Sequence, residues 1–146
     1  MKTIFLIRHS KPGKCSFVYN NSGIQIKNEK KKLTNEGRKY AKQFFSNKEF
    51  DNISEIYSSN YLRAYQTAKI LAKKLKLKVN VVPEFGERKL GIKSWNEYPK
   101  DFEIHQFNDN DYKLEDGESL NEVRERELNA LNNILNSNLE DNYLED

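Results

Sequence analysis

Arg8 and His9 stand side by side after a short apolar run, Thr3–Ile7, and Arg63 follows a second such run by five residues. An imidazole beside one guanidinium, with another brought from elsewhere in the chain, is a set suited to phosphate. Arginine forks bind phosphate oxygens in pairs and stabilise charge that spreads over a transferring group. A neutral imidazole can attack phosphorus and carry the group covalently. A carboxylic acid can protonate the departing oxygen, and after the third apolar run the chain offers Glu84 and Glu87. His9 alone would read as a packed core histidine; Arg8 and Arg63 turn the reading towards a nucleophile. Lysine outnumbers arginine 19 to 6, and three of the six, Arg8, Arg63 and Arg88, fall near predicted strand ends. The two residue types are not interchangeable where a planar fork must grip an oxyanion. No Walker-type glycine loop is present. The two histidines and one cysteine give no metal-ligand spacing. No cofactor and no metal are therefore expected. Cys15 is not followed by a Cys-x5-Arg phosphate loop.

These side chains need elements to hold them. Thr3–Ile7 is a continuous apolar run, which predicts a buried strand of a parallel sheet. The polar stretch from Ser10 to Lys32 reads as a long functional loop. Thr34 is the predicted N-cap of a helix running to about Ser46, with Glu36 in its first turn and Tyr40, Ala41, Phe44 and Phe45 facing inward. Ile53–Ser58 reads as the second strand. A helix from about Tyr61 to Leu75 should bury Leu62, Ala64, Tyr65, Ala68, Leu71 and Ala72. Lys78–Val82 is the third strand, closed by Pro83. Glu84–Tyr112 reads as loop and short helix, and Leu120–Asn136 as a last amphipathic helix. This alternation predicts an α/β fold, three αβα layers around a mainly parallel sheet, in a single domain over residues 1–146. In such sheets sites form beyond the carboxyl ends of the strands, where the arginines and His9 fall.

Composition narrows the function class. The chain has 146 residues and a net charge of +3, without one dominant basic face, so no nucleic-acid partner is expected. The basic runs near Lys30–Lys32 and Lys73–Lys76 read as solvated surface. No apolar run approaches the roughly 20 residues of a membrane helix, so no membrane role is expected. A single cysteine excludes a disulfide scaffold and suits a cytoplasmic setting.

The motifs also occur in a familiar order. Ile7-Arg8-His9-Ser10 resembles the Arg-His-Gly signature of the histidine phosphatase superfamily, which has the phosphoglycerate mutase-like fold. Leu33-Thr34-Asn35-Glu36-Gly37-Arg38 with Ala41 looks like its LTxxGxxxA helix start. Ser58-Ser59-Asn60-Tyr61-Leu62-Arg63-Ala64-Tyr65-Gln66-Thr67-Ala68 is similar to its SSxxxRAxxTA element. Glu87 with Gly91 and Trp95 resembles the acid-bearing segment, and Gly117-Glu118-Ser119-Leu120 with Arg126 looks like its GES element and trailing arginine.

The resemblance implies roles. His9 would take the phosphoryl group, Arg8 and Arg63 would hold its oxygens, and Glu87 would act first as general acid and then as base. Ser58 or Ser59 would cap the turn that aims Arg63. Ser10, Glu118 and Ser119 would line the pocket. The implied activity is phosphomonoester hydrolysis on a small phosphorylated substrate or phosphoprotein. The alternatives are mutase-type transfer and an inactive phosphate-binding module. Two departures stand out. Ser10 replaces the usual glycine. The second histidine that the resemblance implies, after a late central strand, has no counterpart, because the flanks of His105 do not match a strand end. The chain stops near Tyr143-Leu144, where that strand would begin, so the reading expects a truncated member with impaired activity and self-association through an unpaired strand edge.

Overall fold

A computed structural model of the chain describes residues 2–141. It is a mixed α/β structure whose described residues fall into two compact units. The first takes the residues up to Ser22 together with Ile26–Pro83; the second takes Gly23–Gln25 and the described residues from Glu84 onward.

The first unit carries a small parallel sheet. Strand β1 (Ile56–Ser58) pairs with β2 (Val79–Val81) in the register Ile56–Val79, Tyr57–Asn80, Ser58–Val81. A parallel pair needs a crossover connection, and helix α3 (Leu62–Leu75) supplies it. Helix α2 (Asn35–Phe44) starts where expected: Thr34 is extended, and its side chain accepts a hydrogen bond from the Gly37 N–H at 2.9 Å. Ala41, Phe45, Phe50, Ile56, Leu71 and Ala72 form the core. The Phe45 and Phe50 rings meet edge to face at 5.4 Å.

Three expectations are corrected here. Thr3–Ile7 is not a buried strand. It joins no ladder, and Ile4 and Leu6 are 49% and 86% exposed. The Phe5 ring meets the Phe50 ring at 5.2 Å but is itself 37% exposed. A continuous apolar run becomes a central strand only where other strands and helices cover its edges and faces. Among the described residues the sheet has two strands, and neither pairs with it. Second, the Ser10–Lys32 loop contains helix α1 (Ile24–Glu29), too short to show a readable period. Third, Tyr40 and Phe44 are each 52% exposed, because the inward line of α2 is the i, i+4 series Gly37, Ala41, Phe45.

Gly37 on that line shows how tightly the segment after His9 is pressed onto α2. A Cβ there would lie 2.3 Å from the Lys11 carbonyl oxygen and 3.2 Å from two more Lys11 backbone atoms. No flexible side chain can yield at that point. Gly37→Ala is expected to destabilise the protein by about 2 kcal/mol or more, through overpacking against backbone. Urea denaturation would check this, and an unchanged midpoint would contradict the close approach.

The second unit contains α4 (Phe102–Asn108) and α5 (Leu120–Asp141). Arg88 ties it together. Its Nε donates to the Glu118 carbonyl at 2.7 Å, Nη1 to Gln106 Oε1 at 2.6 Å and Nη2 to the Tyr112 carbonyl at 3.0 Å. Its guanidinium also lies over the buried Phe102 ring. Gly91 has φ +76°, a backbone state disfavoured for other residues, and sits against the Asp116–Gly117 peptide. No helix among the described residues is long and apolar enough to cross a membrane.

Candidate active site

The site in the first unit forms where β1 runs into α3. Ser58 Oγ donates to the Ser59 carbonyl at 2.8 Å, and Ser59 Oγ accepts from the Tyr61 N–H at 3.3 Å. Both serines are buried. A hydroxyl that bonds the backbone two residues ahead makes a local turn, and here it turns the chain into α3. The residues buried along α3 are Arg63, Thr67, Leu71 and Ala72. Positions 63, 67 and 71 are one i, i+4 line. That line is polar in its N-terminal half and apolar in its C-terminal half, so one face of one helix serves both site and core. Apolar periodicity pointed instead to Leu62, Ala64, Tyr65 and Ala68, all only partly buried.

Arg63, 4% exposed, reaches back to His9. Its Nε–H donates to His9 Nε2 at 3.0 Å, and its Nη1 donates to the Asn28 carbonyl at 2.7 Å and to Asn28 Oδ1 at 3.3 Å. The guanidinium lies over the Tyr61 ring, 5.0 Å from its centroid. On the other side of the imidazole, His9 Nδ1 is 2.8 Å from the Ser10 carbonyl oxygen. These two partners determine the tautomer. A carbonyl oxygen can only accept, so Nδ1 carries the proton. A guanidinium N–H can only donate, so Nε2 presents its lone pair. In this arrangement the proton sits on Nδ1 and the Nε2 lone pair is turned towards Arg63.

Ser10 is itself fastened at two points. Its N–H donates to Thr67 Oγ1 at 3.0 Å, and its Oγ donates to the Gly37 carbonyl at 2.7 Å. The Thr67 hydroxyl donates in turn to the Arg63 carbonyl at 2.8 Å. Lys11 continues the docking, its carbonyl accepting from the Thr34 N–H at 3.1 Å.

Of the residues expected to act, His9, Ser10, Ser58, Ser59 and Arg63 all belong to the first unit, and His9, Ser10 and Arg63 are joined by hydrogen bonds. Arg8 belongs to the same unit and is exposed. Glu87, Glu118 and Ser119 belong to the second unit. Glu87 is exposed, and its carbonyl accepts from Arg126 Nη2 at 3.4 Å. Glu118 receives a fork from Arg126, Nε to Oε1 at 2.8 Å and Nη2 to Oε2 at 3.0 Å, plus the Lys89 N–H at 2.9 Å. Ser119 is 2% exposed and makes a reciprocal capping box with Glu122 at the start of α5. Arg88 is bound within the second unit as described and is not a strand-end phosphate ligand. Sequence reasoning gave no role to Asn28 or Thr67. Nothing local marks Asn28, whereas Thr67 could have been found as the residue one turn after Arg63 on its own face.

A sequence profile of the histidine phosphatase superfamily, branch 1, matches residues 4–144. The chain belongs to the histidine phosphatase superfamily. Comparison with curated proteins finds no match. Among solved structures, this superfamily member is similar to a mycobacterial glucosyl-3-phosphoglycerate phosphatase in complex with inorganic phosphate, at 21% identity and a TM-score of 0.69, covering 88% of this chain and 60% of that one. The complex of that phosphatase with VO3 gives 22% identity and a TM-score of 0.68, over 88% and 62% of the two chains. A protein of Thermus thermophilus gives 20% identity and a TM-score of 0.59, over 86% and 68%. The likeness carries the fold. The chain spans about three-fifths of the length of the mycobacterial structures it matches.

In the second unit Glu118 and Arg126 form a forked ion pair. The hydrogen-bonded guanidinium of Arg126 holds the Glu118 carboxyl below its ordinary value of 4.5, against the opposing effect of burial, and the Lys89 N–H adds to the lowering. A carboxyl lowered by folding stabilises the folded state above its unfolded value and loses that contribution as pH falls through the folded one. Glu118→Gln should therefore lower the denaturation midpoint at pH 7. The gap from wild type should close as pH is taken below 4.5. A gap that stays constant down to acid would mean that the charge is not what Arg126 holds.

Proposed function

We propose that this protein hydrolyses phosphomonoesters through a phosphohistidine on His9. The observation that carries the reading is the pair of contacts on the imidazole: Nδ1 on the Ser10 carbonyl and Nε2 on the Arg63 Nε–H. Together they put the proton on Nδ1 and the Nε2 lone pair beside a buried guanidinium. In the first step the Arg63 Nε–H hydrogen bond passes from Nε2 to a phosphoryl oxygen, the freed Nε2 lone pair attacks phosphorus, and the phosphorus–oxygen bond to the leaving group breaks. The leaving oxygen takes a proton from a general acid, the role that the family resemblance gives to Glu87. In the second step water attacks the phosphorus of phosphohistidine, gives a proton to the conjugate base of that acid, and the phosphorus–nitrogen bond returns its electrons to Nε2. Arg63 and Arg8 supply N–H donors to the phosphoryl oxygens, where charge accumulates. No metal or cofactor enters this scheme. The substrate is a small phosphorylated molecule or a phosphoprotein, and the lone cysteine suits a cytoplasmic setting.

The test is to trap the intermediate. Brief incubation with a labelled aryl phosphate, then alkaline quenching, should leave base-stable, acid-labile phosphate on the peptide that contains His9. Saturable vanadate binding with neither turnover nor label would make the protein a phosphate-binding module instead.

A further inference from the structure

We infer that Ser10 and Thr67 act as positioning residues that hold His9 in its nucleophilic tautomer. The inference rests on the reading of His9 as nucleophile and assigns a task to two side chains that touch neither the lone pair nor the phosphate.

The Ser10 carbonyl is the group that accepts the His9 Nδ1 proton, at 2.8 Å. A carbonyl can orient a ring only if it is itself held. Here the hold comes from both ends of the same residue. The Ser10 N–H is bound to Thr67 Oγ1 at 3.0 Å, and the Ser10 hydroxyl is bound to the Gly37 carbonyl at 2.7 Å. The two anchors belong to different helices, Thr67 to α3 and Gly37 to the first turn of α2. Ser10 is thus pinned between the two helices, and its carbonyl is left aimed at the imidazole. Thr67 is 5% exposed and also donates to the Arg63 carbonyl at 2.8 Å. One hydroxyl therefore joins the backbone of the residue that sets Nδ1 to the backbone of the residue that faces Nε2. A glycine at position 10 could not make the bond to Gly37.

Two variants remove these bonds. Ser10→Ala deletes the hydroxyl and leaves the Gly37 carbonyl able to accept from the Ala41 N–H of its own helix. Thr67→Val keeps the shape and deletes both hydrogen bonds. Each should lower kcat for p-nitrophenyl phosphate by about 10- to 100-fold, the loss expected from misplacing a reacting group by a fraction of an ångström to an ångström. KM should change little, because the phosphate ligands are untouched. Ser10→Thr, which keeps the hydroxyl, should recover much of the loss. The double variant should fall less than the product of the two single effects, since both act through one carbonyl.

A readout independent of turnover is the His9 Nδ1–H proton in NMR spectra. In wild type it should be visible and slow to exchange with water. In Ser10→Ala and Thr67→Val it should exchange faster, while thermal unfolding stays cooperative. An unchanged Nδ1–H resonance with wild-type kcat in both variants would overturn the inference, and so would a change confined to KM. If wild type neither turns over nor forms phosphohistidine, the proposed function fails. The exchange of Nδ1–H then decides the positioning role by itself.

Discussion

Replacing His9 with glutamine is expected to remove at least about 10⁴-fold of the turnover of an aryl phosphate while leaving the fold close to wild type. Alanine at the same position should be as inactive and also less stable. The difference follows from Arg63. Its Nε–H is buried and donates to His9 Nε2 at 3.0 Å. Alanine removes the acceptor, and a buried charged donor without a partner costs about 1–3 kcal/mol or more. The glutamine side-chain oxygen can reach the place of Nε2 and accept the same hydrogen bond, yet it has no nucleophilic nitrogen. Paired assays of turnover and urea denaturation on the two variants separate the lost nucleophile from the lost seat of Arg63. Substantial turnover in His9→Gln would eliminate the phosphohistidine route.

The parts of this fold that could be read from sequence are those whose signals are local. Thr34 and Gly37 lie three residues apart, and the cap they form is present. The turn at Ser58-Ser59 and the crossover helix behind it are encoded within a few positions of one another. His9 and Arg63 could be paired from the order of their motifs along the chain, even though the Thr3–Ile7 run before His9 forms no strand. What failed was information about partners. Thr3–Ile7 has the composition of a central strand, but composition does not say what lies beside it. Arg88 was grouped with Arg8 and Arg63 by its nearness to a strand end; a chain turn of a few residues is enough to carry it to Phe102, Gln106 and Tyr112 instead. On α3 the apolar pattern misled for a physical reason. A helix that carries a site buries polar side chains on the line that a core helix gives to leucine. Arg63 and Thr67 occupy that line.

The second large effect is expected at Arg63, where charge and shape can be separated. Arg63→Lys keeps a cation but cannot keep the arrangement. The guanidinium binds His9 Nε2 through Nε and the two Asn28 oxygens through Nη1 at the same time, while its face rests on Tyr61. A single ammonium has three donors at one point and no planar face. Lysine should therefore lower kcat/KM by about 10²–10³-fold, the range seen when one preorganised oxyanion donor is lost. Arg63→Ala should lose more, and also stability, because the side chain is 4% exposed and its acceptors are left behind. Methylguanidine added below denaturing concentration should recover part of the alanine variant's rate and little of the lysine variant's, since the ammonium already fills the space. If lysine sustained wild-type kcat/KM, a positive charge alone would suffice. The tautomer would then have to be set from the Ser10 side, and the His9–Arg63 contact would be a feature of the resting protein rather than of the reaction.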